Sequence, residues 1–275
     1  MRILLLGKGH LGSFLSGRLN IAPELWWKEE IANLSEAKLL EFKPEVIINT
    51  VGKTDLKWCE ENQSECWRCN VVEPLMLYRR IGKTLRCPLV HISSACVWDG
   101  PFNERGEPFN SWDAPTPACF YSWTKAAFDA MVMDEAKTGL IILRPRQVYS
   151  PLRSPRNTLS KLLSYPKLLD TPNSMTSAET IAKTIEAFMG PIGLERTRIT
   201  NVYDAGWTTP FRVGELLAEA GLRTVPEKLT KEELDGWHKP KRVDAVIADN
   251  WFEYIAKPPK VEDELRRVIA EFARS

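Results

Sequence analysis

Residues 2–12, RILLLGKGHLG, decide how the rest of the chain is read. The run RILLL at 2–6 stops at glycine, and from Leu11 to Asn20 (LGSFLSGRLN) apolar residues recur at helical spacing. A strand, a tight turn and a helix are expected, with Gly7, Gly9 and Gly12 forming G-x-G-x-x-G in the turn. In that context the first glycine permits the turn, the second admits a pyrophosphate to the backbone and the third lets helix pack on strand. Free N–H groups at the helix start favour an anion. Gly7, Lys8, Gly9, His10, Leu11 and Gly12 are therefore expected to hold a dinucleotide.

Outward from this turn the alternation repeats. VIINT at 46–50, a polar helix-like stretch over 58–84 and PLVHIS at 88–93 come next. A punctuated loop over 99–120, a helix over about 119–137 and the apolar LIILRPRQVY at 140–149 follow. Apolar runs joined by helical crossovers predict an α/β fold, a Rossmann-type doubly wound parallel sheet over 1–150. SPLRSPRN marks a boundary, after which helices at about 177–189, 210–220, 230–236 and 261–273 suit a smaller C-terminal substrate-binding lobe over 151–275. The second strand is expected at ELWW, 24–27, followed by Lys28, Glu29 and Glu30. Lys8 and Lys28 are placed either to meet a 2′-phosphate or to be plain surface lysines, so the cofactor is NADP or NAD, with NADPH favoured.

The charge balance, 37 Lys and Arg against 36 Asp and Glu, provides no global field for nucleic acid or an anionic membrane. The five apolar-rich residues before Gly7 are too few for a signal or spanning segment, and a cytoplasmic protein is expected. Six scattered cysteines read as reduced thiols. Cys59, Cys66 and Cys69 would share a helical face, either as buried packing or as thiolate ligands, but no second CxxC completes a zinc site and His10, His91 and His238 are dispersed; no metal is expected.

Of six tyrosines, only Tyr121 in YSWTK has a lysine, Lys125, four residues on, at a helix start where both share a face. Ser94 ends the HIS strand, so the three converge where ligands bind a doubly wound sheet. Hydride reduction of a ketone leaves an alkoxide needing a proton. A phenol can give it if an ammonium lowers its pKa, while a serine hydroxyl holds the carbonyl oxygen. These are the expected catalytic residues. Trp98, Trp112 and Trp123 fall beside them, either as core or to stack on a ligand, Trp98 first. Arg153 and Arg156 would either clamp a diphosphate or lie solvated in their loop.

The chain resembles extended short-chain dehydrogenases, and most of all the dTDP-4-dehydrorhamnose reductases, over nearly its whole length. The matching pieces are MRILLLGKGHLG, PEVIINTVGKTDLKWCE, CNVVEP, LVHISSACVWDG, YSWTK, LRPRQVY and KPKRVDAVIADNWFEYIA. The resemblance implies Thr50, Val51 and Gly52 bordering the cofactor with Ser93, Asn33 near adenine, and Pro145 and Arg146 flanking the nicotinamide. It implies Asn70 supporting the site and Gln147 facing substrate, with Ala95, Cys96 and Trp98 beside it. The substrate implied is a nucleotide-linked sugar, and the assembly a homodimer. Two departures stand out: the glycine loop is one residue short, and Ser93, Ser94, Ala95 and Cys96 replace the reductases' Ser-Thr-Asp-Tyr. Lacking an acidic residue there, the chain is not expected to dehydrate a sugar. Two alternatives stay open: an NAD-retaining 4-epimerase, which SSACVW resembles, and a cofactor-binding regulatory subunit.

Overall fold

The computed structural model describes residues 1–135, 139–190, 192–195, 197–237 and 240–275. Six parallel strands form the central sheet, in the order Arg198–Val202, Leu140–Pro145, Leu89–Ile92, Val46–Asn49, Ile3–Leu6 and Trp26–Trp27. The first strand is thus flanked by the second on one side and the third on the other, and the crevice between the loops after Leu6 and Asn49 is the switch point. Both faces are apolar. Leu5, Ile48, Val90 and Ile141 pack on one side and Leu4, Leu6, Ile47, Leu89 and Ile142 on the other, as period-2 strands buried between helices require.

The expected doubly wound parallel sheet is present, with the helices His10–Arg18 and Phe120–Glu135 where the spacing put them. Residues 136–138 of the expected helix, and His238, lie outside the described residues. The second lobe has its own core of Tyr149, Leu159, Val213, Leu217, Leu265 and Phe272. Its helices include Pro210–Glu219 and Val261–Phe272, whereas Ala178–Met189, expected in this lobe, packs Ile181, Ala182, Ile185 and Phe188 on the central sheet. The chain returns to the sheet for Arg198–Val202, and Ile247–Ala248 pairs in parallel with Phe109–Asn110, a short strand inside the segment expected to be loop.

Two further elements differ from expectation. The stretch 58–84 is not one helix. Leu56–Glu61 is capped by Asp55, whose carboxylate accepts from Trp58 N at 2.8 Å, and a break at Asn62 leads to Gln63–Trp67. A π turn at Arg68–Val72 then precedes Glu73–Thr84. Pro74 has no N–H to return to the preceding turn, and the widened turn ahead of it absorbs the lost bond. LIILRPRQVY likewise splits: Gln147 takes φ 42°, and Val148–Tyr149 leaves the sheet to pair with Thr176–Ser177 in the second lobe. Among the described residues no helix is long and apolar enough to cross a membrane.

Candidate active site

Gly7 and Gly12 are fixed by the space they occupy. A Cβ on Gly7, which adopts φ 108°, would stand 2.5 Å from Thr50 Oγ1, and one on Gly12 would stand 2.2 Å from Gly7 O. The first strand, the opening helix and the Thr50 loop therefore meet as closely as bare backbone allows. Thr50 Oγ1 donates to Leu6 O at 2.7 Å, and Trp26 Nε1 donates to Gly7 O at 2.8 Å, so the cradle is held from both sides. Gly9 precedes the helix without a side-chain cap. His10, 9% exposed, has neither ring nitrogen hydrogen-bonded among the described residues. Burial, with the Lys161 charge second, lowers its pKa to about 4.

The three residues expected to be catalytic sit across this crevice. Ser94 closes the Leu89–Ile92 strand, its Oγ accepting from Cys96 N at 3.1 Å, and its hydroxyl works against the rise in the Tyr121 phenol pKa. Tyr121 and Lys125 lie one turn apart on the Phe120–Glu135 helix, 6% and 2% exposed. Lys125 Nζ donates to Ile92 O at 3.3 Å and stands 3.4 Å from where a Gly52 Cβ would be. Burial first, then the Cys96 sulfur, pushes the phenol pKa above its ordinary value, against the Ser94 hydroxyl. The expected lowering by Lys125 does not govern the phenol, because burial outweighs it. Burial also lowers Lys125, with Asp129 opposing.

Asn70, on the π turn, supports the trio from behind. It is 1% exposed; its Oδ1 accepts from Lys53 N at 2.8 Å, and its Nδ2 donates to Lys53 O at 3.0 Å and Thr124 Oγ1 at 3.1 Å. One side chain thereby fixes the loop after the third strand to the helix carrying Tyr121. Asn49 Oδ1 accepts from Val51 N at 2.9 Å, and Asn49 Nδ2 meets His91 Nδ1 at 3.1 Å. Val51 and Gly52 line this loop, and the buried Ser93 hydroxyl has no partner among the described residues.

Other expected site residues fall elsewhere. Trp98 is fully buried, its ring stacked on Phe109 at 5.5 Å and its Nε1 donating to Asp113 O; it presents no face to a ligand. Ala95 is likewise enclosed, whereas Cys96 is half-buried and its Sγ accepts from Arg146 Nη1 at 2.8 Å. The rest of the Arg146 guanidinium is spent on Asn173 Oδ1 at 2.7 Å and on Val243 O, so it joins the lobes behind the site. Pro145 is buried beside it, and Gln147 is half-buried. Asn33 is exposed on the turn Ile31–Asn33, and Lys28 lies 4.1 Å from the Trp26 ring centroid. Trp112 is 83% exposed; Trp123 stacks on Trp67 at 4.9 Å between centroids. Cys59 and Cys66 pack with Cys119 against Tyr121, apart from Cys69, which turns to Glu65.

Lys161 and Arg242 were not expected here. Lys161, on the helix Thr158–Ser164, is solvent-accessible, yet the surrounding walls and Arg242 lower its pKa, with Arg156 adding and Asp55 and Cys96 opposing. Among the described residues Lys161, Arg156 and Arg242 make no side-chain ion pair. The sequence carried no signal for them beyond their charge, since only the folding back of the second lobe brings them to the crevice.

The cradle, the orphaned Ser93 and His10 groups and the unpaired cations fit a dinucleotide: apolar backbone contact, donors and positive charge at a helix start. A family model described as RmlD substrate binding domain matches residues 1–192. A trifunctional UDP-glucose 4,6-dehydratase/UDP-4-keto-6-deoxy-D-glucose 3,5-epimerase/UDP-4-keto-L-rhamnose-reductase of Arabidopsis thaliana is 24% identical over 82% of this chain and 36% of its own length. The chain spans 36 to 56% of the length of the first curated relatives it matches. Two solved structures are similar over 98% of this chain and 99% of theirs. One is the L780 UDP-rhamnose synthase from Acanthamoeba polyphaga mimivirus, with TM-score 0.86 and 20% identity. The other is a dTDP-4-dehydrorhamnose reductase from Bacillus anthracis in complex with NADP, with TM-score 0.81 and 18% identity.

Proposed function

The chain belongs to the RmlD substrate-binding-domain family, and from that membership we propose that it is an NAD(P)H-dependent reductase of the keto group of a nucleotide-linked sugar, with NADPH preferred. The observation that carries this reading is the convergence of Ser94, Tyr121 and Lys125 opposite the Gly7–Gly12 cradle, with no carboxylate at Ala95 or Cys96 to drive elimination.

Gly7, Gly9, Gly12, Thr50, Val51, Gly52 and Ser93 hold the dinucleotide, which supplies the hydride when bound. Ser94 donates to the sugar carbonyl oxygen and strengthens that bond as negative charge grows there. Tyr121 then gives its proton to that oxygen. A phenol raised above its ordinary range stays protonated at neutral pH and still yields to an alkoxide, which is far more basic. Lys125, held by Ile92 O, places an ammonium at the base of the loop and takes part of the charge left on Tyr121. Lys161 and Arg242 grip the sugar nucleotide's diphosphate from the second lobe, which makes the charge-assisted bonds they lack among the described residues. Relatives named for UDP-4-keto-L-rhamnose and dTDP-4-dehydrorhamnose reduction support a 4-keto-6-deoxy sugar carried on UDP or dTDP.

The test is NADPH and NADH oxidation by the purified chain with UDP- and dTDP-linked 4-keto-6-deoxy sugars, alongside UDP-glucose. Cofactor oxidation with a keto sugar, and stronger with NADPH, is the expected outcome. Interconversion of UDP-glucose and UDP-galactose with NAD retained in the protein would establish the epimerase instead. Dinucleotide binding without turnover of any member would establish the regulatory-subunit alternative.

A further inference from the structure

The glycine loop GKGHLG is one residue shorter than the loop of the reductases the chain resembles, and beside it the second lobe delivers an arginine. Arg156 Nη1 lies 3.6 Å from where a Cβ on Gly9 would stand. Gly9 is the position where a dinucleotide's pyrophosphate approaches the backbone, at the uncapped start of the nine-residue helix His10–Arg18. His10, next in sequence, is buried with both ring nitrogens unpartnered.

The arginine is presented by a built loop. Asn157, fully buried, donates to Ser150 O at 2.7 Å and Leu152 O at 2.8 Å and caps the helix Thr158–Ser164 by accepting from Leu159 N. Ser150 Oγ accepts from Leu152 N, Ser154 Oγ accepts from Arg156 N, and Thr158 Oγ1 donates to Val148 O. The backbone on either side of Arg156 is thus fixed, while its guanidinium makes no side-chain hydrogen bond or ion pair within the described residues. Arg153, three residues earlier, points away and rests 3.9 Å over the Phe272 ring. A guanidinium without a partner among the described residues, held close to a helix start, offers a charge-assisted contact to a phosphate.

We propose that Arg156 is a cofactor-binding residue that clamps the pyrophosphate of the dinucleotide against Gly9 and the first turn of the His10–Arg18 helix, with the His10 imidazole as a further donor. This rests on the cofactor reading above and adds to it that the second lobe grips the cofactor as well as the substrate. The dinucleotide then bridges the two lobes before any sugar nucleotide arrives.

The same phosphate chemistry exists in the substrate, so the test separates the sources. Binding of NADH, NADPH, UDP and dTDP, each alone, is measured by titration calorimetry on wild type, Arg156→Ala and Arg153→Ala. Arg156→Ala is expected to weaken NADH and NADPH alike by about tenfold, as loss of one charge-assisted contact does, and to leave UDP and dTDP unchanged. Arg153→Ala is expected to bind all four as wild type does. Loss confined to UDP or dTDP would assign Arg156 to the substrate, and loss confined to NADPH would assign it to the 2′-phosphate; either overturns the clamp. Unchanged dinucleotide binding in Arg156→Ala overturns it while sparing the cofactor reading. A wild-type chain that binds neither dinucleotide overturns both.

Discussion

The two walls of the crevice are built on opposite terms. Around Tyr121 the buried polar side chains, Ser93 apart, are answered from within the chain: Asn70 by Lys53 and Thr124, Lys125 by Ile92 O and Ser94 by Cys96 N. Around Lys161 the cations are accessible and, among the described residues, unpaired, and His10 beside them is buried without a partner there. The first wall is satisfied and rigid, the second is left wanting an anion. Groups that act on the reacting carbonyl must be positioned beforehand, whereas groups that recognise a phosphate draw their energy from bonds made only on binding.

Substitutions in the two walls should therefore fail differently. Tyr121→Phe is expected to lower kcat about a thousandfold while leaving NADPH affinity intact, as loss of a general acid does; stopped-flow and equilibrium titration would read both, and near-normal turnover would remove Tyr121 from the chemistry. Asn70→Leu should lower kcat by about tenfold to a hundredfold and cost about 2 kcal/mol of stability, because Lys53 N–H and C=O lose their partner. Kinetics with a urea melt would check it, and Asn70→Asp, which keeps one acceptor, should recover part of the stability.

His10 tests the unsatisfied wall through pH. Its folded pKa, about 4, lies below the ordinary 6.5, so the unfolded chain binds its proton first as pH falls through that window. Stability contributed by neutral His10 is present above about pH 6.5 and is lost toward pH 4, by about 2 kcal/mol between pH 7 and 5. His91, also lowered by burial, adds the same sign, while Asp204, raised to about 6 by burial, opposes it between pH 3.8 and 6. Urea midpoints at pH 7 and pH 5 should differ less in His10→Gln than in wild type, and an equal difference would contradict the buried, unpartnered imidazole. The smallest change is expected from Lys161→Met, which should raise the KM for sugar nucleotide by about tenfold with kcat retained, the mark of binding lost equally from ground and transition states.

How much of this was legible in sequence follows from the range of the interactions. The glycine turn, Ser94 and the Tyr121–Lys125 pair each lie within a few residues, where periodicity and turn chemistry act, and they fell where expected. Trp98 read as a ligand contact because it follows the strand, but the returning segment 243–248 and Phe109 seal it into the core, which no local pattern announces. Arg146 is diverted in the same way by Asn173 and Val243. The break at Gln147 was hidden because the strand formers Val148 and Tyr149 follow it so closely after LIIL that one strand was read across Arg144–Gln147.

The Arg146 guanidinium also has a bearing on the order in which the molecule is made. Its carbonyl partner, Val243, lies 97 residues later, and the edge strand Arg198–Val202 joins a sheet whose other members end at Pro145. A chain emerging from the ribosome thus carries an arginine that waits 97 residues for its carbonyl partner, and its crevice closes only on that later crossing between lobes. A ribosome-stalled intermediate ending before that crossing would hold the glycine turn and the tyrosine in place with the floor beneath them unfinished.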